Sequence, residues 1–193
     1  MSTIKLENIQ TRTGSGTITI GASGETVALG SGVTTSGFAT TNGITMADQW
    51  RLTANFTGNA DPIASNLERN DNASFGYIGT GMSESSGIFT FPETGIYQVE
   101  FVATMARLSN DAIVGYAIEG TTDNSSYSVL ARNFTNTGTI ASSYNEIIVS
   151  TFFDVTDTST HKVKFVVSSS SQNTVGNSTQ NNTYMTFIRL GDT

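Results

Sequence analysis

Residues 87–101 read GIFTFPETGIYQVEF. A short apolar strand, a Pro-containing turn and a long alternating strand stand back to back. Tyr97, Val99, Phe101, Ala103 and Met105 fall on one face of the second strand, and Gln98, Glu100 and Thr104 on the other. Alternation of period two over this length specifies a β-strand with one buried side. Pro92 sits in the connection, where its missing N–H takes no bond from a ladder. Gly95 supplies backbone angles that other residues avoid.

Further strands follow the same logic: Ala112–Gly120, Ser126–Phe134, Glu146–Val155, His161–Ser169 and Thr183–Gly191. In His161–Ser169, Val163, Phe165 and Val167 oppose Lys162 and Lys164. Upstream, ITMADQWRLTANF around Trp50 reads as a first strand, residues 57–74 as a polar loop holding Pro62, and Phe75–Met82 as a short strand with a Gly turn. Residues 168–182 are almost entirely Ser, Asn, Gln and Thr and read as a long exposed loop. About eight to ten strands with turns at this spacing describe an antiparallel β-sandwich or jelly roll. Some strands are apolar on both faces. Ile147, Val149, Phe153 and Val155 share one side, yet Ile148 and Phe152 lie on the other; Tyr184, Ile188 and Leu190 oppose Met185 and Phe187. A second apolar face in an antiparallel sandwich is expected to pack on another subunit.

Residues 11–45 form a separate zone. GTITIG (Gly16–Gly21) and ETVALG (Glu25–Gly30) repeat nine residues apart, Ile18 and Ile20 matching Val27 and Leu29, with Phe38 in phase. Such strands bury their apolar faces only by stacking, which suggests a short β-repeat stalk. The calcium-binding nonapeptide repeat needs an Asp in each unit, and none falls here.

Composition narrows the function. Only 13% of residues are charged and Gly numbers 19, as expected of an all-β chain rather than a helical one. The net charge of -7, with no Lys/Arg cluster, disfavours nucleic acid and anionic membranes as partners. No apolar run reaches the roughly 20 residues of a membrane span. The chain has no cysteine, which excludes disulfides, thiol catalysis and cysteine-ligated zinc. MSTIKLENIQ does not read as a secretory leader, so the expected site of synthesis is the cytoplasm. Asn-X-Ser/Thr matches at Asn55, Asn72, Asn124, Asn133, Asn177 and Asn181 are then chance in an Asn-, Ser- and Thr-rich chain.

The sequence offers little for catalysis. His161 is the single histidine; it begins a strand beside two lysines, in the manner of a surface residue, and no nucleophile elbow is present. Only a ring of His161 from several subunits could make a histidine metal site. Asp154 and Asp157 flank a turn, and Asp61, Glu68 and Asp71 share a loop. Carboxylates so placed are usually turn formers, although a pair of them could in principle run glycoside hydrolysis or hold a Ca²⁺. We expect neither enzymatic activity nor a metal or other cofactor. A binding surface is expected instead from Tyr116, Tyr127, Phe134 and Tyr144, set among Asn, Ser and Thr, a mixture suited to glycan or protein surfaces. Ile4, Leu6 and Ile9 are the large apolar residues of the first ten and mark residues 1–10 as an anchoring segment.

IFTFPETGIYQVEF resembles the signature of the tumour necrosis factor and complement-head jelly roll, with Phe89, Thr90, Pro92, Gly95 and Tyr97 in the family's places. TYMTFIRLG resembles its closing strand, with Thr186 where a Gly is usual; Phe91 stands where a Cys is often found. The chain is also similar to fibre and appendage proteins of tailed bacteriophages of marine and cyanobacterial hosts. DQWRLTANFTGNADPI and FGYIGTGMSESSGIFTFPETGIY look like their head type, and GTITIGASGETVALG like their β-repeats. The resemblance implies a homotrimer with a virion anchor at residues 1–10, a stalk at 11–45 and a jelly-roll head at 46–193. It implies a virion fibre or spike that contacts the host surface, or alternatively a capsid decoration or head-fibre protein. It implies as partners other copies of the chain, virion proteins met through the N-terminus, and a host glycan or protein.

Overall fold

The structure is a computed structural model that describes residues 43–108, 113–136, 143–169 and 171–193. Residues 1–10 and nearly all of the repeat zone therefore lie outside the described residues. The strands are β1 (Ala47–Leu52), β2 (Phe56–Thr57), β3 (Leu67–Arg69), β4 (Ser83–Ser85), β5 (Ile88–Thr90), β6 (Gly95–Ala106), β7 (Ile113–Thr121), β8 (Ser128–Asn136), β9 (Tyr144–Val155), β10 (Lys162–Ser168), β11 (Asn173–Thr174) and β12 (Tyr184–Gly191). No helix occurs among the described residues. Every pairing between these strands is antiparallel.

The strands build an all-β jelly-roll sandwich of two sheets. Sheet A runs β2-β11-β6-β12-β1-β3, with β9 on the other side of β6; sheet B runs β4-β5-β10-β7-β8. The opening stretch Gly87–Phe101 supplies β5 to sheet B and β6 to sheet A, so its turn crosses from one sheet to the other. Gly95 has φ +145°, and a Cβ there would lie 2.5 Å from the Gly191 carbonyl oxygen and 2.6 Å from the Arg189 Nε. The crossing requires glycine on both counts.

Alternation then fills the interior. Phe89, Phe91, Tyr97, Val99, Phe101 and Met105 are all buried, joined by Tyr116, Val163, Phe165, Met185 and Phe187. Phe89 is the hub. Its ring centroid lies 5.5 Å from that of Trp50, 5.3 Å from Phe165 and 5.2 Å from Phe187. Phe91 continues the cluster to Tyr97 at 4.6 Å and Phe153 at 5.7 Å. Tyr97 is satisfied by donating its hydroxyl to the Glu93 carbonyl, and burial together with the Glu93 charge pushes its pKa up to about 12.

Several expectations require correction. Residues 57–74 are not a loop throughout, since Leu67–Arg69 form β3 and pair with β1. Residues 168–182 are not a free loop throughout. Asn173 and Thr174 pair with β6 and β2, and Gln172 and Thr174 are buried, so a polar run is held in place by ladder bonds. The Phe75–Met82 segment is no strand: it makes one bridge, Ala47 to Ile78, and leaves Phe75, Tyr77 and Ile78 exposed. His161 is buried, not superficial. It stacks on Phe153 at 5.8 Å between the hydroxyls of Thr156 and Thr160, 3.3 and 3.0 Å from its ring nitrogens.

Replacing Phe89 by Ala removes the shared contact between the sheets and should lower unfolding stability by about 3–5 kcal/mol in chemical denaturation. A loss below about 1 kcal/mol would mean that the cluster does not couple the sheets. A second expectation concerns the β7–β8 turn. Asp123 accepts from the Ser125 and Ser126 N–H groups and the Thr121 hydroxyl. The Ser126 backbone bond first, then the Thr121 and Ser125 bonds, hold its pKa down at about 2. A depressed carboxylate stabilises the fold above its ordinary pKa and loses that contribution as pH falls through the folded value. The melting-temperature difference between wild type and Asp123→Ala should therefore be constant above about pH 4 and shrink towards pH 2. A difference that does not vary with pH would remove the carboxylate from the turn.

Candidate functional site

The side chains that alternation turns outward form two different surfaces. On sheet A the register sets them in rows. Phe152, Gln98, Ile188 and Ala47 lie side by side, then Ser150, Glu100, Thr186 and Gln49, then Ile148, Val102, Tyr184 and Arg51. Two rows with apolar members thus flank a polar one. Phe152 is 70% and Ile148 52% exposed, although both lie on the long edge strand β9. Thr186 fits this face because its hydroxyl accepts from Gln49 Nε2 at 3.0 Å. Burial first, then the Glu100 and Glu146 charges, raise the Tyr184 pKa. At the far end the buried Arg51 guanidinium pairs with Glu68 at 2.6 Å and Asp71 at 2.7 Å.

On sheet B the outward row is charged and aromatic. Lys164 on β10 stands beside Glu119 on β7, their charged atoms 3.2 Å apart, and also meets Asp61 at 2.5 Å. Burial opposes the Lys164 ammonium, but the bonds and charges of Asp61 and Glu119 outweigh it and raise its pKa. The Tyr127 ring lies 4.9 Å from Lys164 Nζ. Arg132 on β8 reaches Glu119 at 3.6 Å and lies 6.0 Å from the Phe134 ring. Phe134 is 58% exposed. Its ring rests on Gly115, where a Cβ would come 2.8 Å from the ring edge. Beyond Asp61, the 56–65 loop walls a cleft of about 410 Å³.

The candidate aromatics are therefore divided. Tyr127 and Phe134 share the outer side of sheet B. Tyr144 is 68% exposed on the outer side of sheet A, opposite Ala106. Tyr116 is corrected to the core: it is 1% exposed, packs on Phe101 at 5.8 Å and shares a hydrogen bond with Thr174. The phase of β7 turns its even positions inward, and burial raises the Tyr116 pKa against the Thr174 bond. Ile4, Leu6 and Ile9 lie outside the described residues.

The carboxylates grouped in one loop by sequence each have an ion-pair partner: Asp61 has Lys164, and Asp71 and Glu68, the latter on β3, have Arg51. Asp157 accepts from the Ser159 hydroxyl and N–H, bonds that lower its pKa in that order. Sequence reasoning missed Arg132 and Glu119. The alternation of Lys162 and Lys164 against Val163 and Phe165 marks the outward side of β10, but the β7–β8 register that brings Arg132 to Glu119 has no local sequence signal.

No family model matches the sequence, and no curated protein matches it. Solved structures do share its fold. Eiger TNF from S. frugiperda superposes with a TM-score of 0.59 at 10% identity, covering 78% of this chain and 95% of that one. Murine APRIL gives 0.56 at 12% identity, covering 75% and 98%. The likeness establishes the fold: the described residues form a TNF-like jelly roll.

Proposed function

We propose that the chain is a structural protein of a bacteriophage virion, a homotrimeric fibre or spike whose jelly-roll head contacts the host cell surface. In this reading residues 1–10 dock into other virion proteins through Ile4, Leu6 and Ile9, residues 11–45 form the stalk, and residues 46–193 form the head. The protein catalyses no reaction and needs no cofactor; its work is assembly and display. The observation that carries the self-association is the exposure of Ile148 and Phe152 on the outer face of sheet A. Isolated exposed apolar residues are ordinary on protein surfaces, but here two stand on the outward side of one strand, beside the rows of β6 and β12. The virion and host-contact parts rest on the sequence resemblance and on the head-and-repeat organisation.

Light scattering of the full chain should give three chain masses, and the double variant Ile148→Glu/Phe152→Glu should give one while keeping a cooperative unfolding transition. A monomeric wild type overturns the trimer. Deleting residues 1–10 should leave a folded trimer that no longer enters particles; incorporation of the truncated protein would place the anchor elsewhere. Labelled protein at the tail that competitively blocks adsorption supports host contact. Labelling on the capsid without such a block supports the capsid-decoration alternative.

A further inference from the structure

We propose that the outer face of sheet B binds a carboxylate-bearing pyranose, the acidic unit of a surface polysaccharide, with Phe134 as stacking platform and Arg132 as the cationic fork. The inference rests on the reading of the head as a surface-contacting module.

The platform comes first. Phe134 lies against Gly115, the one residue type that lets a ring settle directly onto the strand, and its other side is open to solvent. A ring already fixed by the backbone loses little freedom when a second flat body stacks on it. The C–H face of a pyranose is such a body. Aromatic side chains that combine a broad apolar face with polar neighbours suit it.

The fork gives the ligand its charge. Arg132 has five N–H donors, and its ion pair with Glu119 is long at 3.6 Å. Glu119 is held more closely by Lys164, at 3.2 Å, from the opposite side. The Glu119 charge is thus shared, and Arg132, its side chain 37% exposed, keeps donor capacity beside the platform, with its guanidinium carbon over the ring 6.0 Å from the centroid. A carboxylate accepts two parallel bonds from such a fork. An apolar partner would have to strip water from the Arg132 guanidinium. A neutral sugar would leave the fork unmatched. Nucleic acid, which also stacks on rings, needs several cations along its phosphates, and the sequence has no Lys/Arg cluster.

The test is titration of the full-length protein by NMR with methyl glucuronide, methyl glucoside and inorganic phosphate as probes. Methyl glucuronide should saturate in the millimolar range, about tenfold tighter than methyl glucoside, the margin of one charge-assisted fork. Arg132→Gln should remove that preference and leave the weak binding of both sugars. Phe134→Ala should weaken both sugars about tenfold, in line with the loss of a stacking contact. Gly115→Ala, which pushes the ring off its seat, should act in the same direction. Mass and melting temperature of each variant are checked alongside. The proposal is overturned if wild type binds no methyl glucuronide saturably, or if Phe134→Ala binds it as wild type does. It is equally overturned if phosphate competes while Phe134→Ala has no effect, or if Phe134→Ala changes the oligomeric mass, which would place the ring in a subunit interface. Saturable glucuronide binding without any block of phage adsorption would sink the host-contact reading and leave this site standing.

Discussion

The head depends on the contact of Phe89 with Trp50, Phe187 and Phe165. Phe89 belongs to sheet B, as does Phe165, while Trp50 and Phe187 belong to sheet A. The ring thus joins the two sheets, together with Phe101, which meets Phe165 at 5.1 Å and Tyr116 at 5.8 Å across the interior. The edge-on contacts to Trp50 and Phe165 are the favourable aromatic arrangement, and each adds to the plain removal of ring surface from water. Phe91 and Tyr97 extend the cluster past the turn, with Gly95 allowing the chain to cross between sheets under Gly191. Fifteen consecutive residues, Gly87–Phe101, thus supply the crossover and the aromatic hub around which the rest of the core packs. The same residues also carry ladders: β5 joins β4 to β10, and β6 joins β9 to β12.

Because the interior is filled from alternate positions, the exterior is decided at the same time. Val149, Phe153 and Val155 cannot point inward unless Ile148, Phe152 and Asp154 point outward. Val163 and Phe165 likewise place Lys164 outside, beside Glu119. The two outer faces differ because sheet A puts Phe152 and Ile188 in one row and Ile148 and Val102 in another, whereas sheet B puts Lys164 next to Glu119 and Arg132 next to Phe134. A surface of the first kind gains from being covered. One of the second kind has its charges already paired, and presents a ring. In the proposed function, assembly and display would fall to opposite sides of the sandwich.

This also explains what could be read from sequence. Strong alternation placed β6, β9, β10 and β12 to within a few residues, and the two-sided character of β9 was visible in Ile147–Phe153. Tyr116 misled because a Tyr among polar neighbours looks the same whether its hydroxyl meets water or Thr174. Asn173 and Thr174 misled because a two-residue strand has no periodicity; it exists only through its pairing with Met105 and Ala106. Phe75–Met82 carries strand-forming residues, yet Gly79 takes φ +67° and lies against the Thr45 carbonyl, so the segment turns where a strand would continue. In each case a long-range partner decided what local composition left open.

The edge strands show how far this dependence reaches. β8 ends sheet B and β9 ends sheet A, so the sandwich is open where they run side by side. Unpaired edges invite association in arbitrary register. Here Asn145 Nδ2 donates to the Asn136 carbonyl at 2.8 Å and Asn133 Nδ2 to the Ile148 carbonyl at 3.5 Å, so amide side chains occupy part of the edge that a foreign strand would need. The same Asn133 stands next to Phe134, and Ile148 belongs to the exposed row of sheet A. Both outer faces therefore meet at one protected edge. Contact through the faces is left available, while strand addition at this edge is made less favourable.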